Sequence, residues 1–253
     1  MTATVDAGAD ARDVASSFNL LSGDTGVSAT SLSKANLSVS AAATFSFTLQ
    51  GKSTTSSQIT ATITSITDLT AIKDAINAVS GSTGITAALS SDKAGINVTQ
   101  SEGYDIIIGD VTTGSTNADL VVAAMDMDNV KDTTDVTVDT TATITTGAAA
   151  TIAATAHGFS VGDVVTYTAA GTALAGLASG TSYVVGTVAD ANSFTLLTTT
   201  SGAVTYGNSG SANGVTGAGG NASDKFTRIG RSLDGDSTSG DSIAVVGVVR
   251  LSS

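Results

Sequence analysis

Thr67-Asp-Leu-Thr-Ala-Ile-Lys-Asp-Ala-Ile-Asn-Ala-Val-Ser-Gly-Ser-Thr-Gly-Ile-Thr-Ala87 is the stretch on which the fold turns. Leu69, Ile72, Ile76 and Val79 recur at helical spacing and define one apolar face. Thr67 or Asp68 can cap the free N–H groups of the first turn. Gly81 follows the last helical residues, where a left-handed C′ position favours glycine. Thr-Gly-Ile-x-Ala then opens an alternating strand. Asp92-Lys-Ala-Gly95 reads as a hairpin turn, Ile96 to Val98 as the return strand and Tyr104 to Ile108 as a third strand. With Thr60-Ala61-Thr62-Ile63 in front, the order is strand, helix, strand, strand.

The same order occurs 58 residues earlier. Thr2-Ala3-Thr4-Val5 matches Thr60 to Ile63, and the offset pairs Asp10 with Asp68, Val14 with Ile72, Phe18 with Ile76 and Asn19 with Asn77. It continues through Ser22/Ser80, Gly23/Gly81, Thr25/Thr83, Gly26/Gly84, Val27/Ile85 and Ala29/Ala87. After a one-residue slip, Leu37 matches Ile96, and Phe45/Phe47/Leu49 match Tyr104/Ile106/Ile108. In the first half the helical stripe is Val14, Phe18 and Leu21, and Lys34-Ala-Asn36 reads as the hairpin turn before a return strand Leu37 to Val39. One helix on one face of a small antiparallel sheet is the economical packing for each unit.

The segment Thr67 to Ala87, followed by Ser101-Glu-Gly-Tyr-Asp-Ile106, resembles the "IN" motif of bacterial flagellins and hook-associated proteins. There a helix ending in Ile-Asn leads to a Thr-Gly-Val-Thr-Ala turn and strand, and then to an S-x-Gly-x-Asp-Ile segment. The first half departs from it: Phe18-Asn19 stands for Ile-Asn, and no Gly-x-Asp-Ile follows. The resemblance covers roughly residues 1–110. It implies the outer, D2- or D3-type variable region of a flagellin, which decorates the filament exterior, with neighbouring subunits as partners and an extracellular location. That family polymerises through long terminal coiled-coil helices; neither end here carries a sustained heptad, so the chain reads as an outer region that does not build a filament alone.

Composition narrows the function classes. The chain has 253 residues, no Cys, no Pro, no Trp and one His, with 10 Lys+Arg against 22 Asp+Glu and a net charge of -12. Without Cys there is no disulfide framework, thiolate zinc site or cysteine nucleophile. The negative field disfavours nucleic acid and anionic lipid as partners. The amino-terminal residues lack the basic and apolar regions of a secretory signal, and no apolar run is long enough to span a membrane; the longest is Leu120 to Met125. Abundant Thr, Val and Ile favour strands. The isolated chain is expected to be monomeric or weakly associating.

From Asp132 the pattern changes to short strands: Val136 to Thr145, Thr151 to Thr155, Val164 to Tyr167, Tyr183 to Val188 and Phe194 to Thr199. This spacing suggests a small barrel or sandwich. The run Ala156 to Tyr167, with Leu174 to Val185 and Ala189 to Phe194, is similar to β-modules of bacterial surface and phage tail proteins. Gly202 to Ser223 reads as a Gly/Ser-rich return linker. Phe226 to Ile229 and Ile243 to Leu251 supply closing strands. The fold expectation is therefore an α+β first domain of two repeated strand-helix-strand-strand units, residues 1–131 completed by 226–253. A mainly β domain, 132–225, is inserted in it, and the whole is β-rich. Two domains in series is the alternative.

Candidate sites are few. Asp234, Asp236 and Asp241 lie close together in an oxygen-rich loop of the kind calcium favours, but the EF-hand pattern fails: Gly240 sits one place late and no Glu stands at position twelve. A polar hairpin loop is the competing reading. Asp126, Asp128, Asn129 and Asp132 form a second acidic loop, against a solvated junction. His157, near Ser160 and Asp163, is the only imidazole base, but all three share one turn with no nucleophile elbow before it. Gly214 to Gly220 lacks the Lys-Ser/Thr of a phosphate loop. Asn36, Asn97 and Asn221 match glycosylation sequons at near-chance frequency. No catalytic residue, cofactor or metal is expected. The reading is a structural outer domain of a filament subunit; the second reading is a binding module of an adhesin, surface-layer or phage tail protein, with calcium dependence as its variant.

Overall fold

The structure is a computed structural model describing residues 2–91, 93–115, 118–131, 134–137, 152–171, 173, 177–198, 224–233 and 242–252. In chain order the elements begin α1 (Ala11–Asn19), α2 (Ser22–Thr25), β1 (Ser28–Val39), β2 (Thr44–Gln50) and β3 (Ser57–Thr62). There follow α3 (Thr70–Ala78), α4 (Ser80–Thr83), β4 (Ile85–Leu89), β5 (Ile96–Gln100), β6 (Ile106–Thr113) and β7 (Leu120–Met125). Next are β8 (Thr134–Thr137), β9 (Ile152–Ala153), β10 (Asp163–Thr168), β11 (Ser182–Asp190) and β12 (Ser193–Thr198). The last three are β13 (Lys225–Leu233), β14 (Ile243–Val245) and β15 (Val248–Ser252). The protein is β-rich, with short helices, and divides into two compact units: Met1–Lys131 with Leu233–Ser253, and Asp132–Ser232.

In the first unit the two halves of the repeat do not form separate sheets. β4, β5, β1 and β7 are neighbours in one antiparallel arrangement, with β15 also on β1, while β14, β6, β2 and β3 make a second sheet. The third strands of the two halves, β2 and β6, pair with each other. One apolar cluster joins the inner faces, with Phe45, Phe47, Leu49, Ile72, Ile76, Ile85 and Ile108 all 0% exposed. Each such side chain contributes about 1.5–3 kcal/mol by leaving water. The expected stripe of the second helix is the buried one: Leu69, Ile72 and Ile76 are inaccessible and Val79 packs against the same cluster.

Two expectations are corrected in this unit. Lys34-Ala-Asn36 is not a turn: β1 runs unbroken for 12 residues, because Ser33 to Leu37 pair with β5 and Lys34 to Val39 with β7. Ladder bonds on both edges override the turn preference of Asn, and Ala35 is wholly buried. Ile243 to Leu251 is not one strand either. β14 pairs with β6 in one sheet and β15 with β1 in the other, so the chain changes sheets at Val246-Gly247. A Cβ at Gly247 would stand 2.5 Å from Ser33 Oγ and 2.7 Å from Ala11 Cβ. Only glycine permits the crossing there.

The second unit is an antiparallel sheet in the order β8-β13-β10-β11-β12-β9. Its core gathers Tyr167, Phe194 and Phe226, each 0% exposed, with Ile152, Phe159, Val185 and Leu196. Phe194 lies edge-on to Phe159 and to Phe226, at 5.2 and 5.4 Å between ring centres, a favoured aromatic geometry. Tyr167 donates from its hydroxyl to the buried Asp224 carboxylate at 2.8 Å. The segment Phe226 to Ile229, expected to complete the first domain, belongs instead to β13, which pairs with β10 inside this unit. Its alternating Phe226 is needed under the second unit's sheet.

Candidate functional site

The helix–turn–strand passage from α3 to β4 is held by one side chain. Asn77 Nδ2 donates to the Ala87 carbonyl at 2.9 Å, and the Ala87 N–H donates to Asn77 Oδ1 at 2.8 Å. In an antiparallel ladder a residue directs both backbone groups at one neighbour or away from it. Ala87, opposite Val98 of β5, therefore directs both at the amide. β4 ends the strand order of its sheet, so Asn77 stands where a further strand would bond and closes that edge. Asn is the residue type for this task, since its amide offers a donor and an acceptor side by side.

The turn before β4 is equally determined. Ser80 Oγ donates to the Asn77 carbonyl, Thr83 Oγ1 to that of Val79, and the Ile85 N–H to Thr83 Oγ1. Gly84 takes φ 71°, a left-handed conformation that a β-carbon penalises. The whole set recurs 58 residues earlier. Asn19 holds Ala29 at 2.9 and 2.7 Å, Ser22 bonds Asn19, Thr25 bonds Leu21, Val27 bonds Thr25, and Gly26 has φ 70°. At the helix starts Asp10 accepts from the Asp13 N–H. Asp68 accepts from both the Thr70 N–H and hydroxyl, which, hydroxyl first, hold its carboxyl below the ordinary value. α3 thus begins at Thr70, just beyond the start near Thr67 or Asp68 read from the sequence.

A junction joins the ends of the first unit around Gly103-Tyr104-Asp105. The Gly103 carbonyl accepts from the Arg12 N–H at 3.2 Å, and a Cβ on Gly103 would run into Ser31. The Arg12 guanidinium lies 4.5 Å over the Tyr104 ring, a cation–π contact. The Asp105 carboxylate accepts from the Gly247 N–H at the sheet crossing. Burial pushes the Asp105 carboxyl up, more than that bond pulls it down, and the charge of Asp10 adds to the rise. Its Oδ1 is buried without a partner.

The residues singled out for chemistry fall apart. His157 is 2% exposed; its Nδ1 accepts from the Phe159 N–H and its Nε2 faces the Asp190 carbonyl at 3.1 Å. That arrangement assigns the proton to Nε2 and leaves no nitrogen for a nucleophile. The Asp163 carboxylate takes the Ser160 N–H at 2.9 Å and sits 3.7 Å from Arg228, serving the turn rather than the imidazole. In the acidic loop Asp126 Oδ1 accepts from the N–H groups of Asp128 and Val130. Asp128 is paired with Arg250 at 2.8 Å, and Lys34 Nζ donates to Asn129 Oδ1. The chain's own cations occupy that loop; Asp132 lies outside the described residues. So do the calcium candidates Asp234, Asp236 and Asp241, the Gly214 to Gly220 run, and Asn221. Asn36 and Asn97 bond each other across β1 and β5, inside strands rather than on loops. Among the described residues no group of three or more His, Cys, Asp or Glu could hold a metal. No helix there is long and apolar enough to cross a membrane.

The first unit is α+β, with the amides of Asn19 and Asn77 bonding strand edges at Ala29 and Ala87. Residues 44–102 match the family model for the flagellin hook IN motif. The match supports a flagellin-related structural protein. It begins at the first residue of β2, so the module includes the β2–β3 hairpin as well as α3, β4 and β5. Sequence reasoning had assigned β2 to the earlier half and missed what Asn77 does. No curated protein matches the chain.

Proposed function

We infer that this chain is an outer, surface-exposed region of a bacterial flagellar filament subunit, which sets the character of the filament surface and meets neighbouring subunits there. The observation that carries the reading is the IN-motif match over residues 44–102. It is supported by the repetition of the Asn77 bonding set at Asn19, in keeping with a duplicated motif. On this reading the region is of the D2 or D3 type, 132–232 is a domain inserted in it, the location is extracellular, and the role is not enzymatic. The charge of -12 then keeps a crowded array soluble by self-repulsion. Immunogold labelling of the native bacterium with antibodies against this chain tests the proposal. Label along the filament exterior is expected. Label confined to the cell body would sink it and favour the adhesin or surface-layer alternative.

A further inference from the structure

The turn of residues 156–159 is fastened onto the turn between β11 and β12. The Ala156 N–H donates to Asn192 Oδ1 at 3.0 Å and the His157 N–H to the Ala191 carbonyl at 3.1 Å. His157 Nε2 donates to the Asp190 carbonyl, and its Nδ1 accepts from the Phe159 N–H at 3.0 Å. The imidazole is wedged between two rings of the second unit's core, 5.4 Å from Phe159 and 5.0 Å from Phe194, centre to centre. The turn is also strained. Ala156 takes φ 51°, a left-handed conformation that its β-carbon resists. Such a conformation persists where its surroundings over-determine it, and here the bonds to residues 190–192 do so.

His157 is the one member of this set whose hydrogen bonding depends on pH. The neutral ring offers one acceptor and one donor, matched to the Phe159 N–H and the Asp190 carbonyl. Imidazolium carries a donor on both nitrogens, so a proton added at Nδ1 faces the Phe159 N–H instead of an acceptor. A buried charge with an unmet donor is costly. The nearby carboxylates do not relieve it. Asp190, the charged residue of β11, accepts from the Asn192 N–H and the Ser193 hydroxyl. Its charge reaches His157, but the place facing Nδ1 is filled by the Phe159 N–H. Asp163, the charged residue of β10, accepts from the Ser160 N–H and lies 3.7 Å from Arg228 of β13. β9 and β12 carry no charged residue. The closed turn takes no proton at Nδ1 and the open turn does, so falling pH favours opening.

We propose that the turn of residues 156–159 is an acid-released latch: a proton added at His157 Nδ1 frees it from the β11–β12 turn and bares Phe159 and Phe194. Relief of the strain at Ala156 adds to the opening, and raising the pH closes the latch again. The bared rings, 5% and 0% exposed in the closed turn, make an apolar patch that the second unit presents only in acid. The inference concerns that unit and stands whether or not the chain belongs to a filament.

The test takes the full 253-residue protein from about pH 7.5 to about pH 5, either side of the ordinary imidazole value of about 6.5. It follows the fluorescence of the neutral apolar dye Nile red and the ring NMR signals of Phe159 and Phe194. A several-fold rise in dye fluorescence and loss of the dispersion of both rings are expected, while the methyl signals of Ile72 and Ile76 stay in place. His157→Asn keeps an oxygen acceptor for the Phe159 N–H and takes up no proton, so it should remain dark throughout. Ala156→Gly keeps the imidazole and relieves the strain, so it should open at a pH about half a unit below the parent's. A parent that shows neither change, or a response that survives in His157→Asn, overturns the proposal. Should His157→Asn be open already at the upper pH, Ala156→Gly decides: an opening pH equal to the parent's or above it overturns the latch.

Discussion

Asn77 makes two backbone bonds that no neighbouring strand can make for it. Replacement by Ala removes both, and at a net worth of about 1 kcal/mol each Asn77→Ala should lower stability by about 2 kcal/mol in urea unfolding. Asn77→Asp keeps the acceptor but sets a carboxylate oxygen against the Ala87 carbonyl, so it should not restore the parent's stability at neutral pH; equal stability of parent and Asn77→Ala would refute the edge-capping role. Asp105 gives a prediction with a sign. Its carboxyl is raised in the fold, chiefly by burial. The associated stability is therefore complete below the ordinary carboxylate value of about 3.9 and is lost as pH rises through the higher folded value. Asp105→Asn retains an acceptor for the Gly247 N–H and carries no charge. It should be at least as stable as the parent at neutral pH, with its advantage shrinking as pH falls. Thermal melts of the two proteins across the acid range check this, and a pH-independent difference would count against it. Asp68 and Asp190, both held low by hydrogen bonds, act in the opposite direction, which is why the comparison is made between variant and parent.

At the scale of elements, α3 and α1 occupy equivalent places with unequal burial. Ile76→Ala should cost about 2–5 kcal/mol, as large-to-small changes in a closed core do. Phe18→Ala, at a half-buried counterpart, should cost distinctly less despite the larger side chain; denaturant midpoints decide, and a greater loss for Phe18 would show that α1 is the better packed helix. The sequence carried the α3 stripe and the β4–β5 hairpin, because these depend on spacing within about ten residues, and the Asn19/Asn77 correspondence, because a constant offset of 58 relates it to its flanking pairs. It did not show that β1 passes straight through Lys34-Ala-Asn36. That outcome is imposed by β5 and β7, whose pairing lies far along the chain. Nor did it show the break at Gly247, although a glycine inside an apolar run is a recognised sign of close backbone approach. The edge-capping role of Asn77 was hidden for another reason: an amide reads as a turn former until the strand whose edge it closes is in view.

At the scale of the molecule, the chain leaves the first compact unit after Lys131 and rejoins it at Leu233. Replacing residues 132–232 by a short Gly/Ser linker should leave the methyl NMR signals of Ile72, Ile76 and Ile108 close to their positions in the full chain. Collapse of their dispersion would show that the first unit depends on the second. In the sequence the pattern changes at Asp132 to short strands with turn punctuation. The return boundary was placed early, because Phe226 to Ile229 alternate equally well for either unit and only the pairing of β13 with β10 assigns them.

The pairing of β15 with β1 also sets how the unit bears force. Ser252 lies opposite Ser28 and Val248 opposite Leu32. A pull outward on Ser252 thus strains the ladder one pair at a time from its end instead of shearing all its bonds together. Peeling advances toward Gly247, where the Asp105 bond and the close fit against Ser33 and Ala11 arrest it. Under tension β15 is a tear strip with a built-in stop, and the interleaved sheets behind it remain unloaded until that stop gives way.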